Sequence, residues 1–451
     1  MTAQKHLKQL IRARMQKTGE RYTTARRHVI GKLEQADNPP TKPSGKPSGP
    51  LHFPGNIPAT TALRILLANR GVRAPHTGEP FSEAMLFGIA GGIGIGVFSF
   101  FYEKEDTSTF FVAGRHQWHD DEAYLRNALA PFHIEPIIQE TAGAKAAEQQ
   151  LFETLERQAP CVAWVDAAEL PHRAMPGEWS GGGYHVVIVH SVNRESGAAL
   201  IGDLTDDPIS IPPADLARAR ARIKKQKHRL LSVAPNASGK ALPSLDELVR
   251  DGLRRCHDGL LHPTLPGAKN NARLEALEVW AKRLHGSKDK ESWERVFRPG
   301  ANLWRGLCSI QDFIEHYGTG GGLCRPLFAD FLKEAAAALS NTNLATLSEQ
   351  YAELGQGWSD LADAALPSDV PAFREAKELQ TRKAELLHDG APAEDVRAVW
   401  QRLGELSKEA RQRFPLSEAD CADLRAQLQA RILKLYESEV AAQAAILKAV
   451  S

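Results

Sequence analysis

The 451-residue chain has 42% hydrophobic and 25% charged residues and a formal net charge of +1. These are the values of a soluble globular protein large enough for two domains. The five cysteines (Cys161, Cys256, Cys308, Cys324 and Cys421) are scattered without a Cys-x-x-Cys pair; this argues against a disulfide framework or structural zinc and for a reducing, cytoplasmic setting. No charged start, apolar stretch and small-residue cleavage site follow one another at the N-terminus, so export is not expected.

Charge is uneven along the chain. Up to Glu34, nine lysines and arginines face only Glu20 and Glu34. In "KHLKQLIRARMQKTGERYTTARRHVIGKL", Leu7, Leu10, Ile11 and Met15 recur at helical spacing. Thr18-Gly19 breaks the run, and Tyr22, Ala25 and Val29 resume it. Residues 1–35 therefore read as a basic two-helix segment. Its partner is an acidic protein or, less directly, a nucleic acid. Residues 36–50, "ADNPPTKPSGKPSGP", form a linker with nothing to bury.

From 51 to 235 the pattern is α+β. Helices are expected at Thr60–Asn69, Ser82–Phe87 and Lys145–Gln158, and strands at Phe110–Val112, Cys161–Val165, Val186–Val189 and Ala199–Ile201. The apolar run Ala84–Phe101 holds too many glycines for a membrane helix and reads as tightly packed core. "GGIGIG" within it lacks the Gly-Lys-Ser/Thr sequel of a phosphate cradle. "ARARARIKKQKHRLL" reads as a basic helix ending the domain, with a solvated face. Residues 242–451 carry helical periodicity throughout, including a hairpin turned at Asp389-Gly390-Ala391-Pro392. This all-α half suggests no chemistry of its own.

Chemistry concentrates in "GGGYHVVIVHSVNRESGAALIGDLTDDP". "NRESG" turns a β-hairpin, and a centre near residue 194 or 195 sets His185 beside Asp203. A carboxylate there fixes the imidazole tautomer and stabilises the imidazolium formed when the ring takes a proton. The same residues also suit a buried histidine satisfied by a turn aspartate. "GRHQWHDDEAYL" groups His116, His119, Asp120 and Asp121, either as metal donors on a helix or as a helix entrance with favourable acids. Arg325, after "GTGGGLC", is either a grip for a carboxylate or phosphate or an ordinary residue at a helix start.

The order "PFSEAMLFGIAGGIG", "PCVAWVD", "GGGYHVVIVHSVN", "GDLTDD" resembles the N-terminal domain of butirosin biosynthesis protein H and its relatives. That family is papain-like, akin to the bacteriocin-leader type of cysteine peptidase. "WRGLCSIQDFIEHYGTGGGLCRPLFADFLKEAA" resembles the uncharacterised helical domain often fused behind it. The resemblance implies a papain-like α+β domain followed by an all-α domain. It also implies a nucleophilic cysteine opening the first helix, in a pattern like His-Cys-x-Thr-x-Leu-Arg. In "FPGNIPATTALRILL", Leu63-Arg64 anchors that pattern and sets Ala59 at or beside the cysteine position. The nucleophile is then absent, and a methyl group cannot attack a carbonyl. Cys161, in an apolar strand, is core. Thr60 or Thr61 is either a hydroxyl nucleophile for His185 or a helix-starting residue. Asn56 is an oxyanion donor or a turn residue, and Glu83 matches a recurrent family acid that orients a substrate amine or favours its helix start. Tyr184 is a candidate substrate contact.

Three functions remain. The first is a binding or scaffold protein of peptide or secondary-metabolite biosynthesis that recruits protein partners through its helical domain and basic segment and keeps a peptide or acyl-carrier-borne ligand. The second is an acyltransferase moving an acyl group from a carrier thioester to an amine with His185 as base. The third is nucleic-acid binding through the N-terminal segment. No cofactor, metal or membrane contact is expected.

Overall fold

The computed structural model describes residues 50–234, 243–262 and 270–449, with isolated positions elsewhere. The basic segment 1–35 and the linker 36–50 lie outside the described residues, except for positions 9–11, 13–15, 25, 29 and 50. In chain order the elements are α1 (Pro58–Asn69), α2 (Glu83–Ile89), β1 (Ile93–Tyr102), β2 (Thr107–Arg115), α3 (Asp121–Leu129), β3 (Ile137–Gln139) and α4 (Ala144–Gln158). Then come β4 (Cys161–Asp166), β5 (Tyr184–Asn193), β6 (Ala198–Gly202), β7 (Ile209–Ile211), α5 (Pro213–Arg222) and β8 (Leu230–Ser232). The helical half holds α6 (Leu245–Leu261), α7 (Ala276–Leu284), α8 (Trp293–Val296), α9 (Ala301–Glu315) and α10 (Arg325–Leu339). It ends with α11 (Thr342–Ala365), α12 (Pro371–His388), α13 (Ala393–Gln412) and α14 (Glu418–Lys448).

These elements group into two compact units that interleave along the chain. One comprises Met1–Leu86, Asp121–Leu245 and Lys383–Trp400, and the other Phe87–Asp120, Asp246–Arg382 and Gln401–Ser451.

The first unit is α+β. Its sheet runs β3–β8–β4–β5–β6–β7, and every neighbouring pair is antiparallel. Cys161, Ala163 and Val165 of β4 share a face with their partners Val189, Val187 and His185 of β5, since side chains alternate along a strand. On that face, Val187 and Val189 pack with Leu151 of α4 and Leu216 and Ala219 of α5. Val186 and Ile188 point the other way, toward α1, which lies against β4 and β5. Proline at the start of α1 loses no helical hydrogen bond, and Ala59–Ala68 are all buried. The basic helix is shorter than its sequence suggests. It stops at Arg222, and Leu230 and Leu231, read there as helix, belong to β8. Leu230 and Leu231 are buried as that strand bridges β3 and β4.

In the second unit β1 and β2 form an antiparallel hairpin accompanied by helices. Its glycines mark close packing: a Cβ on Gly92 would meet Phe328 at 2.4 Å, and one on Gly96 would meet Trp118 at 2.4 Å. Arg325 is neither an external grip nor a surface residue. It is fully buried, and its Nε donates to Glu439 Oε1 at 2.7 Å, which also accepts from Trp358 Nε1 at 2.7 Å. Leu323 and Cys324 precede it with φ of +50° and +69°, a left-handed conformation that costs about 1–2 kcal/mol per ordinary residue. Among the described residues no helix is long and apolar enough to cross a membrane.

Candidate functional site

The β5–β6 hairpin positions the site. Its register pairs Ile188 with Gly202 and Val189 with Ile201, and shifts by one residue before Ser191 pairs with Leu200. Asp203 follows directly on β6 and points to the same face as His185. The two meet, with His185 Nε2 at 2.9 Å from Asp203 Oδ1.

The pair is not alone. A short turn, Pro171–Arg173, brings in two further groups. Arg173 donates from Nε to Asp203 Oδ2 at 3.0 Å and from Nη2 to Oδ1 and Oδ2 at 3.0 and 2.9 Å. Its Nη2 also lies 3.0 Å from His185 Nε2. His172 Nε2 is 2.9 Å from Asp203 Oδ2. One carboxylate thus serves three cationic or potentially cationic partners. Side-chain exposures of 11% for His172 and Arg173, 5% for His185 and 3% for Asp203 make this a nearly dry cluster.

The electrostatics follow from that crowding. Burial alone would raise the Asp203 carboxyl, but Arg173, His185 and His172 together hold it well below the usual carboxylate range. Burial pushes His185 down, and the Arg173 cation pushes it further, against the opposing pull of Asp203. The cluster therefore holds one arginine cation, one carboxylate and a neutral His185. Arg173 Nη2 already donates to both carboxylate oxygens. With the Nη2 hydrogens directed at the carboxylate, the tautomer that gives Asp203 a donor puts the proton on His185 Nε2 and leaves Nδ1 bare. That Nδ1 has no hydrogen bond among the described residues and, unlike Nδ1 of His172 and His190, is not sealed from solvent. It is an acceptor or a base.

The glycines before His185 serve the fold. A Cβ on Gly183 would sit 2.6 Å from Asp166 Oδ1, and the other oxygen of that carboxylate accepts from Gly181 N. Asp166 thus fills the space beside Gly183. Tyr184 is 46% exposed, with Lys225 Nζ 4.5 Å over its ring.

The start of α1 is a separate cluster. Glu83 accepts from the backbone N–H of Asn56 and Ile57 at 2.9 Å, from Asn56 Nδ2 at 2.9 Å and from Thr61 Oγ1 at 3.1 Å. Its carboxylate fastens the beginning of α1 from the first turn of α2. Asn56 Nδ2 spends a donor on Glu83. Thr60 is fully buried with its hydroxyl 2.8 Å from Tyr124 OH, a partner other than His185. Ala59 is 2% exposed in the first turn. Among the described residues, no hydrogen bond joins Asn56, Thr60, Thr61 or Glu83 to the His185 cluster. Cys161 lies in the β4 core, its thiol pushed up to about 12 by burial.

The run from His116 to Asp121 assembles no metal site among the described residues. His116–His119 form a turn, with Gln117 at φ +49°, and no helix presents both imidazoles on one face. Asp121 and Glu122 open α3, the favourable place for acids. No group of three or more His, Cys, Asp and Glu among the described residues could hold a metal ion. Sequence reasoning missed Asp166, the last residue of β4, and His172 and Arg173, which come from a short turn without periodicity or motif.

Compared with known families, residues 58–204 match the family model described as Butirosin biosynthesis protein H, N-terminal. Residues 214–395 match the one described as Domain of unknown function (DUF4872). No curated protein matches the chain.

Proposed function

We propose, for a chain in which a butirosin biosynthesis protein H N-terminal domain is followed by a DUF4872 domain, a role in biosynthesis carried out without a covalent enzyme intermediate. In this reading the protein is a papain-like relative that binds a peptide or an acyl-carrier-borne group and works as a binding or scaffold component. The observation that carries it is the start of α1. A methyl group, Ala59, stands where the family resemblance puts sulfur, and the hydroxyls beside it are held by Tyr124 and Glu83. Cys161 offers no substitute, because a buried thiol that ionises only near 12 supplies almost no thiolate at neutral pH. Incubation with an electrophilic acyl-thioester probe is expected to leave residues 56–61 unlabelled by peptide mass spectrometry. Stoichiometric labelling there would overturn the reading.

A second reading is favoured by one observation, the bare Nδ1 of a neutral His185. A neutral imidazole oriented by Asp203 is a general base, and an acyl thioester is already activated enough to need only deprotonation of the attacking amine. His185→Ala is then expected to lower transfer from a simple acyl thioester to an amine by ~10²–10⁴-fold. Transfer at the parent rate in that variant removes this reading. Because His185 is held below its ordinary value, the base form would persist to more acidic pH than a free histidine allows.

A further inference from the structure

We propose that the tip of the helical hairpin, residues 383–400, is a positioning element of the His185 site, and that Trp400 acts through Arg173. The inference rests on His185 being the working group, but its test reads the ring itself and not turnover.

The tip reaches both sides of the cluster. On one side Trp400 Nε1 donates to the backbone oxygen of Arg173 at 3.2 Å. The Trp400 ring lies 6.0 Å from that of Trp179, and Lys383 Nζ sits 4.4 Å over it. On the other side His388 Nδ1 is 3.4 Å from the oxygen of Leu204, next to Asp203. A Cβ on Gly390, which turns the tip at φ +60°, would be 3.8 Å from the Thr205 methyl.

The turn that carries His172 and Arg173 needs such a brace. Ala174 follows Arg173 with φ of +44°, a left-handed conformation that an alanine adopts only at a cost. Arginine also gives up side-chain entropy when its fork is fixed. Within this three-residue turn Arg173 N–H bonds Leu170 O at 3.1 Å and Ala174 N–H bonds Pro171 O at 3.3 Å, but neither holds the Arg173 carbonyl. The Trp400 bond fixes the carbonyl of the residue whose guanidinium clamps Asp203. The reactive groups all lie within the first family match, whereas Lys383, His388 and Gly390 fall in the second and Trp400 just beyond its end.

The groups facing His185 are Arg173, Asp203 and His172, so releasing Arg173 removes a cation from beside the ring and leaves the carboxylate. The experiment follows His185 by NMR in the full chain with 15N-labelled histidine, across a pH titration. Trp400→Phe keeps a ring against Trp179 and Lys383 but deletes the N–H. It is expected to move the His185 midpoint upward, in the same direction as Arg173→Met and by less. The double variant should titrate with the midpoint of Arg173→Met alone. A parent-like midpoint in Trp400→Phe, or a double variant showing the sum of both shifts, would overturn the proposal. Neither outcome depends on whether the protein transfers or merely binds a ligand; loss of function in His185→Ala tests that separately.

Discussion

Asp203→Ala is expected to destabilise the first unit by about 3–5 kcal/mol, the usual result of leaving one partner of a buried ion pair uncompensated. The carboxylate is the only anion in its cluster, and it accepts from Arg173, His172 and His185 while 3% exposed. Without it a guanidinium with 11% exposure keeps its charge and loses its acceptors. Asp203→Asn keeps the shape and one acceptor oxygen but not the charge, and should fall between. Most of the loss should return in Asp203→Ala/Arg173→Met, because the cation is then gone as well. Urea unfolding of the four proteins measures this. A cost under about 1 kcal/mol for Asp203→Ala would show a solvated pair of the kind found on surfaces.

Acid should weaken both units well before the carboxylates titrate. Burial holds His190 in the first unit and His116 in the second at about 4, against 6.5 for the free side chain. His52 and His185 are lowered for the same reason, burial. A histidine whose folded value is depressed binds its proton more readily in the unfolded chain. Stability is therefore full above 6.5 and falls as pH drops from there toward 4. Between pH 7 and pH 5, His190 and His116 should each remove about 2 kcal/mol. Asp203 works in the opposite sense: its depressed carboxyl contributes above its unfolded value and yields only at more acid pH. Unfolding midpoints measured across this range check the sign, and His190→Gln should flatten the first unit's response. Equal midpoints at pH 7 and pH 5 would contradict it.

The hairpin was legible because a β-turn fixes register locally. Counting outward from "NRESG" set Asp203 beside His185, and the one-residue irregularity before Ser191 did not disturb it. Helices α1, α4 and the α12–α13 turn were equally plain, since each has a strong period or a Gly-Pro break. The strand β1 was not, because Gly94 and Gly96 erase the alternation that marks a strand, and their close contacts, with the Arg115 backbone and Trp118, form only once β2 folds back on it. Strands of three residues such as β3, β7 and β8 are too short to show a period. The clamp on Asp203 was invisible for a different reason. His172 and Arg173 lie 31 and 30 residues before it in an aperiodic loop, and only tertiary folding brings them together. Glu83 was noticed as an acid at a helix start, but its hold on α1 was not.

Interleaving also dictates an order of events during synthesis. The first unit's last piece, Lys383–Trp400, leaves the ribosome after most of the second unit, so the N-terminal domain cannot reach its final form while it is being made. A fragment ending near residue 240 would lack the Trp400 and His388 contacts and carry an orphaned β1–β2 hairpin. The boundary between the two family matches is thus a poor place to divide this polypeptide.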